Sequence, residues 1–415
     1  MTADAKGYAS VRGTTLELAA PLSDEDCTVQ SMPDASPVKW HLAHTTWFFE
    51  TFVLEPGVAG YRPFHPDFRV LFNSYYNSVG EQHPRARRGM LSRPSLAEVL
   101  AYRRAVDETL VRLLEAGVDA RQAAVVELGL HHEQQHQELI LTDLKHMLAQ
   151  NPLRPVYREA PAPPGGHPKP TSWVGFDGGP WEVGHPGDGF AFDNEGPRHT
   201  VQLQPFALAD RLVTAGEYLE FMGDGGYTRP ELWLSEGWSA IQEHGWRAPL
   251  YWSETGPGSG AWEIQTLAGP RAVTPSEPLC HVSYYEADAF ASWTGDRLPT
   301  EFEWERAGEA ADSPGAFLED GAFHPRALHH AGAGVHQHFG DVWEWTRSAY
   351  LPYPGYRPPT GALGEYNGKF MVNQQVLRGG SCATPRSHIR GSYRNFFPAG
   401  ARWQFSGVRL ARDAG

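Results

Sequence analysis

The sequence predicts an α+β protein made of two unlike parts, a helical first part and a second part of short strands and loops. Three observations support this prediction. Apolar residues recur at helical spacing up to about residue 150, seven prolines crowd residues 151–170, and strand-like alternation follows. We therefore expect a helical domain over residues 1–150, a Pro-rich linker over 151–172 and a second domain over 173–415.

Composition narrows the class of protein. The 415 residues include 35 basic and 49 acidic side chains, a formal charge of −14, and 41% are apolar, so the chain can bury real cores. An acidic balance argues against a nucleic-acid partner, and no apolar run reaches the ~20 residues that span a bilayer. Three cysteines are too few for a disulfide framework. Because the first residues also lack the apolar core of a signal peptide, we expect a cytoplasmic protein without a membrane partner.

Helix signals divide the first part into a bundle. One helix is expected to begin at Ser36-Pro37, a second after the capping residue Ser95, and a third after Asp119. A fourth is expected around residues 12–30. Three long helices and a fourth of this kind are typical of an antiparallel four-helix bundle.

The second part has strand and turn signals instead. Residues 199–203 alternate like a short strand, and Gly, Pro, Asn and Asp recur between such segments. Two helices are expected, over 214–222 and 283–294. This pattern predicts an irregular α+β domain rich in loops.

The strongest local motif is His132-Glu133-Gln134-Gln135-His136. On a helix, residues four apart share a face, so His132 and His136 can chelate one metal ion. His44, on the apolar side of the first long helix, can add a third imidazole, since bundles build metal sites from side chains that project inward. Each histidine alone is also compatible with a core residue bonded to a carbonyl, and we assign that role to His41 and His131.

The same HExxH pattern is the signature of zinc peptidases, with Glu133 as the base. That interpretation needs a third ligand downstream, and the extended motif has Thr142 where it requires histidine. The peptidase therefore stays as an alternative.

Further segments allow a comparison with known families. The second part contains, in order, GG (178–179), LVTAGEY (212–218), RLPTEFEW (297–304), GDVWEWT (340–346) and RGGS (378–381). Together with WHLAH and HEQQH in the first part, these segments resemble the ergothioneine sulfoxide synthase (EgtB) family over roughly residues 15–412. The resemblance implies a DinB-like four-helix bundle fused to a C-type-lectin-like domain of the formylglycine-generating-enzyme type. The copper-binding cysteines of formylglycine-generating enzymes are absent from residues 386–394.

The resemblance implies a mononuclear non-haem Fe(II) enzyme with His44, His132 and His136 as the ligand set. It would use O2 to join the sulfur of cysteine or γ-glutamylcysteine to the imidazole of hercynine, leaving a sulfoxide. The chemistry of the residues agrees, since three neutral ligands leave open positions on a redox-active ion, and zinc has no redox chemistry.

The resemblance also suggests roles for residues around the metal. Tyr75 and Tyr76 are expected near the iron, where one phenol would donate a proton or a hydrogen atom. Tyr366 is the weaker candidate. Arg85 and Arg88 match the family's carboxylate-binding positions.

Hercynine is expected in the second domain, on the loop that includes Asn395, Phe396 and Phe397, with Gln135 contributing from the bundle. Aromatic side chains suit its trimethylammonium group. We expect the substrates in the crevice between the two domains.

Three alternatives stay open at this stage. A relative that forms a C–Se bond would accept a selenosugar as donor. The HExxH motif allows a zinc peptidase. A lectin-like domain can also serve as a binding module without catalysis.

Overall fold

The computed structural model describes residues 3–160, 169–328 and 332–414. The expected linker, residues 151–172, therefore lies partly outside the described residues, at 161–168.

The chain forms two compact units. The first consists of Met1–Arg158 together with Pro358–Asn367, and the second of Glu159–Arg357 together with Gly368–Gly415. Ten residues from late in the chain thus belong to the first unit. Nothing in the hydrophobic pattern of the sequence indicated this.

The first unit is helical. Its α-helices are α1 (Ala5–Ala19), α2 (Val38–Phe49), α3 (Glu55–Gly57), α4 (Phe68–Leu71), α5 (Leu96–Ala116) and α6 (Ala120–Ala149). All twelve residues of α2 are buried, which is typical of a helix surrounded by others. Because α2 packs against both α5 and α6, its polar side chains lie in the interior of the bundle.

Two of the expected helix starts are confirmed by their caps. Ser95 and Glu98 form a reciprocal capping box at the start of α5, and Asp119 and Gln122 form another at the start of α6. These bonds satisfy backbone N–H groups that have no partner within the helix.

Two other expectations were wrong in detail. The fourth helix was expected around residues 12–30, but α1 begins after the capping residue Asp4 and ends before Pro21, which has no backbone N–H to continue the helical hydrogen bonds. At the start of α2 the cap position is Pro37, without a side-chain cap. The backbone N–H of Ser36 instead donates to Asp143 Oδ2 at 2.7 Å.

The second unit contains fourteen short strands and four α-helices among its described residues. The helices are α7 (Ala215–Gly223), α8 (Ser235–His244), α9 (Tyr284–Thr294) and α10 (Glu301–Ala307). The strands are β1 (Trp173–Phe176), β2 (Gly179–Val183), β3 (His199–Leu203), β4 (Phe206–Ala209), β5 (Trp252–Glu254), β6 (Trp262–Thr266), β7 (Gly269–Ala272), β8 (Ala311–Ser313), β9 (Val335–His336), β10 (Trp343–Ala349), β11 (Gln375–Arg378), β12 (Asn395–Phe397), β13 (Ser406–Gly407) and β14 (Ala411–Asp413). Helices α7 and α9 confirm the two expected from the sequence, whereas α8 and α10 were not expected.

Small sheets organise this unit. The largest has the order β12-β11-β10-β13, with β13 parallel to β10 and the other pairs antiparallel. A three-stranded sheet, β1-β4-β14, brings the last strand against the first half of the unit, over a core that includes Phe206, Leu208 and Ala411. The expected α+β class, a helical domain followed by a β-rich one, is confirmed.

Within the part of the chain that the structure describes, no helix combines the length and the apolar character that a membrane crossing requires.

Candidate metal centre

Three histidines converge in the interior of the first unit. His44 lies on α2, and His132 and His136 lie one turn apart on α6. The Nε2 atom of His132 is 3.2 Å from that of His44 and 3.1 Å from that of His136. All three rings are buried, and their ligand atoms lie within 4.8 Å of one another. The structure thus brings together the three residues that the sequence proposed as ligands.

This donor set fits a metal ion. Two imidazole–metal bonds of about 2.1 Å that meet at a right angle place their nitrogens about 3.0 Å apart. The two distances to His132 Nε2 match those of neighbouring ligands on one ion, and all three donor atoms lie within 4.8 Å of one another.

The rings are held neutral, as ligands must be. Burial lowers the pKa of His132 to about 3. Burial and the neighbouring His132 ring hold the pKa values of His44 and His136 well below the ordinary range. Their lone pairs are therefore available for coordination.

The ring of His44 is fixed by its surroundings. Its Nδ1 donates to the carbonyl oxygen of Phe72 at 2.6 Å, which leaves the lone pair on Nε2. Trp40 stacks on one side of the imidazole with ring centroids 4.5 Å apart, and Trp47 is also stacked on it, at 5.6 Å. These rings hold His44 in one orientation.

His41 and Asp143 are outer contacts that the sequence analysis missed. His41 Nδ1 lies 2.8 Å from His136 Nδ1, and His41 Nε2 lies 3.1 Å from Asp143 Oδ2. Helical spacing was the available signal, since His41 precedes His44 by three residues and Asp143 follows His136 by seven.

Glu133 faces away from the three histidines. Its carboxylate is fully buried and accepts hydrogen bonds from Arg12 at 2.8 Å, from Thr15 at 2.7 Å, and from Arg103. A carboxylate held by two guanidinium groups on the opposite face of α6 is not placed to act as the base of a zinc peptidase. The geometry therefore argues against that alternative.

The two adjacent tyrosines lie in the loop after α4. Tyr76 is buried, and its ring lies 5.6 Å from that of Trp47, which stacks on His44. Burial, with the phenols of Tyr75 and Tyr366 nearby, raises the pKa of Tyr76 well above its usual value, so the phenol keeps its proton. Tyr75 is partly exposed, with its ring 4.7 Å from that of Tyr76.

Tyr366 also lies beside the three histidines. Its ring is 5.8 Å from His132 and 6.1 Å from Tyr75, and its hydroxyl donates to Gln135 Oε1. The segment that carries it belongs to the first unit. From the sequence, Tyr366 ranks below Tyr75 and Tyr76 as a candidate, and Gln135 is expected to contribute from the bundle without this partner.

Glu365 ties the segment of Tyr366 to the tyrosine loop. Its carboxylate accepts from the backbone N–H of Asn77 at 2.9 Å and of Ser78 at 2.8 Å, and from the Ser78 hydroxyl at 2.5 Å. Three bonds to one carboxylate therefore connect the two segments that carry the tyrosines.

The two predicted arginines differ in environment, although both lie on one short 3-10 helix, Arg85–Met90. Arg88 is buried, donates to Ser36 Oγ at 2.9 Å and Ser74 Oγ at 3.0 Å, and places its guanidinium carbon 3.4 Å from the centre of the Trp40 ring. Its Nε has no hydrogen-bond partner among the described residues. Arg85 is exposed and donates to the carbonyl oxygen of Asp34.

The three residues predicted to bind hercynine lie on strand β12 of the second unit and are partly exposed. Phe396 stacks on Tyr350 with centroids 4.0 Å apart, and Phe397 meets Trp403 edge-on at 6.1 Å. The side-chain oxygen of Asn395 accepts from the backbone N–H of Phe396 at 2.9 Å.

Comparison with known proteins supports the two-part organisation. Residues 8–140 match the DinB superfamily, and residues 162–338 and 326–414 match the sulfatase-modifying factor enzyme 1-like domain.

Two relatives align with nearly the whole chain, and a third aligns with about half of it. The hercynine oxygenase of Mycolicibacterium smegmatis is 34% identical, with 98% of this chain and 97% of the relative aligned. The hercynine oxygenase of Mycobacterium tuberculosis is 33% identical over the same shares. Ergothioneine biosynthesis protein 1 of Schizosaccharomyces pombe is 30% identical, over 54% of this chain and 28% of its own length. With this similarity along its length and both domains present, the chain belongs to the EgtB-type family, in which a DinB-like domain is fused to a formylglycine-generating-enzyme-like domain.

Proposed function

We propose that the protein is an iron(II)- and O2-dependent sulfoxide synthase acting on hercynine and on cysteine or γ-glutamylcysteine. In the balanced reaction, the thiol loses its hydrogen, the imidazole loses one ring hydrogen, and a C–S bond forms. One oxygen atom of O2 remains on sulfur, and the other leaves as water. The main support for this proposal is that three neutral imidazoles lie close together. Relatives named hercynine oxygenase support it further.

His44, His132 and His136 would hold the iron, which would activate O2 and bind the thiol sulfur. A facial set of protein ligands leaves room for both, and zinc would supply no redox chemistry. The chain itself contributes three buried imidazoles whose Nε2 atoms lie close together, with the lone pair of His44 on Nε2.

Arg88 and Arg85 would bind the carboxylate of the thiol substrate. A buried guanidinium with an unpartnered Nε–H is a strong carboxylate binder, because that donor otherwise stays unsatisfied. Trp40 separates Arg88 from His44, so a substrate held at Arg88 lies one ring away from a metal ligand.

The tyrosines would supply a proton or a hydrogen atom to the oxygen transferred. The phenol of Tyr76 remains protonated, and the ring of Tyr366 lies 5.8 Å from that of His132. We propose that Tyr75, Tyr76 and Tyr366 form one group from which the donor is drawn. Phenylalanine variants at each position distinguish them: loss of the donor lowers kcat, whereas loss of a packing contact lowers stability.

Asn395, Phe396 and Phe397 would bind hercynine, with Gln135 as a further hydrogen-bonding group. The aromatic side chains on and near β12 offer ring surface for a trimethylammonium group. Replacing Phe396 by leucine is expected to raise the KM for hercynine with little change in the KM for the thiol.

The proposed function is tested by mass spectrometry of products. The protein is reconstituted anaerobically with Fe(II), and O2 is then admitted with hercynine and equal amounts of cysteine, γ-glutamylcysteine and a selenosugar. We expect a hercynyl sulfoxide of one of the two thiols, and consumption of O2 only when both substrates are present. Reaction with the selenosugar alone would make the substrate assignment wrong, and full turnover after removal of all iron would reject the metal assignment.

A further inference from the structure

A hydrogen-bonded series of side chains extends outward from one proposed metal ligand. The Nδ1 atom of His136 lies 2.8 Å from the Nδ1 atom of His41. The Nε2 atom of His41 lies 3.1 Å from Asp143 Oδ2. His41 and Asp143 are only 2% and 5% exposed. Water therefore contributes little to the hydrogen bonding of this pair.

The chemistry of the groups assigns the proton positions. A carboxylate only accepts, so His41 donates from Nε2 to Asp143 and keeps its lone pair on Nδ1. That lone pair accepts from His136 Nδ1–H, so the lone pair of His136 lies on Nε2, the atom 3.1 Å from His132 Nε2. The series therefore selects the tautomer of His136 that can bind a metal through Nε2, the atom beside His132.

The carboxylate at the end of the series is itself fixed. The backbone N–H of Ser36, just before α2, donates to Asp143 Oδ2 at 2.7 Å. His44 has a different arrangement, with a backbone carbonyl as its outer partner, and His132 Nδ1 has no hydrogen-bond partner in the described structure. Among the three ligands, only His136 is joined through described hydrogen bonds to a carboxylate.

We propose that His41 and Asp143 are positioning residues that orient His136 and strengthen electron donation from its Nε2 to the bound metal. The inference rests on the iron site proposed above. Replacing an outer partner of a metal-binding histidine costs about 10- to 100-fold in metal affinity. A negative charge at the far end of the series also stabilises the more highly charged metal, so its loss raises the Fe(III)/Fe(II) potential.

The experiment uses the full chain and measures Fe(II) affinity anaerobically against a competing chelator. His41→Leu removes both hydrogen bonds, whereas His41→Asn restores an acceptor near the former Nδ1. Asp143→Asn removes the charge and retains an acceptor oxygen. His146→Leu is the matched control, because this histidine lies on the same helix, is partly buried, and bonds to Ser31 Oγ at 2.7 Å rather than to a ligand.

We expect Fe(II) affinity to fall about 10- to 100-fold in His41→Leu and to recover largely in His41→Asn. The midpoint potential of bound iron is expected to rise in His41→Leu and in Asp143→Asn and to stay at the wild-type value in His146→Leu. Thermal denaturation of the metal-free variants separates a folding defect from a binding defect. If His41→Leu does not fold, the midpoint potential and the Fe(II) affinity of Asp143→Asn test the inference instead.

The inference would be overturned if His41→Leu and Asp143→Asn both had the same Fe(II) affinity and midpoint potential as the His146→Leu control. The proposed iron site would remain in place. A wild-type protein that binds no iron would overturn the proposed function itself. The two failures are thus distinguishable in one titration series.

Discussion

The two faces of α6 carry buried polar clusters of opposite character. The imidazole cluster consists of His44, His132 and His136, and the ion cluster of Arg12, Arg103, Asp107 and Glu133. His132 and Glu133 are adjacent in sequence, yet each belongs to a different cluster because a helix turns about 100° per residue.

The ion cluster pairs opposite charges. Two guanidinium groups face two carboxylates, with Arg12 bridging Asp107 at 2.7 Å and Glu133 at 2.8 Å. The imidazole cluster instead directs neutral Nε2 atoms at one another, with the series through His41 assigning the proton of His136 to its outer nitrogen. Paired buried charges hold each other in place, whereas neutral imidazole lone pairs can bind a metal ion. Breaking each cluster separately should therefore have different consequences.

The largest effect is expected from the imidazole cluster. Replacing His132 by alanine removes the central ligand, and we expect Fe(II) affinity to fall by more than about 100-fold, beyond the cost of losing an outer contact. Turnover should disappear. Metal analysis of the purified variant and a chelator competition measure the loss. Iron bound as tightly as in the wild type would show that the cluster is not the metal site.

Breaking the ion cluster should reduce stability instead. Glu133→Gln leaves two buried guanidinium groups without their shared carboxylate, and we expect a loss of about 3–5 kcal/mol in the free energy of unfolding. Fe(II) affinity of the folded variant should stay within a few-fold of wild type. Urea unfolding and the same chelator titration measure the two quantities. A large loss of metal affinity without a loss of stability would reverse this assignment.

The ion cluster should also give stability a defined pH dependence. Burial alone would raise the pKa of Glu133, but Arg103 and Arg12 outweigh it and hold the pKa at about 2. Because the pKa of Glu133 is lower in the folded protein than in the unfolded chain, the ionised carboxylate stabilises the fold above about pH 4.5, the unfolded pKa. This stabilisation is lost as the pH falls from 4.5 toward 2. The contribution is of the order of 3 kcal/mol, at about 1.4 kcal/mol for each unit of pKa shift. We expect the stability difference between wild type and Glu133→Gln to shrink across that window; a difference independent of pH would contradict the role of the charge.

The smallest effect is expected where Glu365 joins the tyrosine loop. Glu365→Gln weakens hydrogen bonds to a charged acceptor, which are worth about 1.5–3 kcal/mol each. The imidazole cluster and the ion cluster stay intact. We expect a fall in kcat of about 10-fold, unchanged Fe(II) affinity, and faster hydrogen exchange over residues 73–80. Glu81→Gln, at an exposed glutamate near the same loop, is the control. Equal hydrogen-exchange rates in the two variants would show that Glu365 does not hold the tyrosine loop in place.

Sequence periodicity was sufficient to predict that three histidines lie close together. His132 and His136 share a helical face, and a bundle brings His44 inward, so local spacing and a packing rule together give the cluster. The caps at Ser95 and Asp119 were also predictable, because a capping box needs only residues three apart.

Contacts between distant parts of the chain could not be predicted in this way. Tyr366 reaches His132 only because residues 358–367 join the first unit, and no local pattern encodes that. The role of His41 depends on a partner 95 residues away in sequence. Arg85 and Arg88 belong to one short helix and have the same chemistry, yet one is exposed and the other buried.

X-ray absorption at the iron edge of the reconstituted wild-type protein tests the central claim most directly. The account predicts a first shell with three imidazole nitrogens, reduced to two in His44→Ala. A first shell without imidazole, or one that is the same in wild type and His44→Ala, would contradict it.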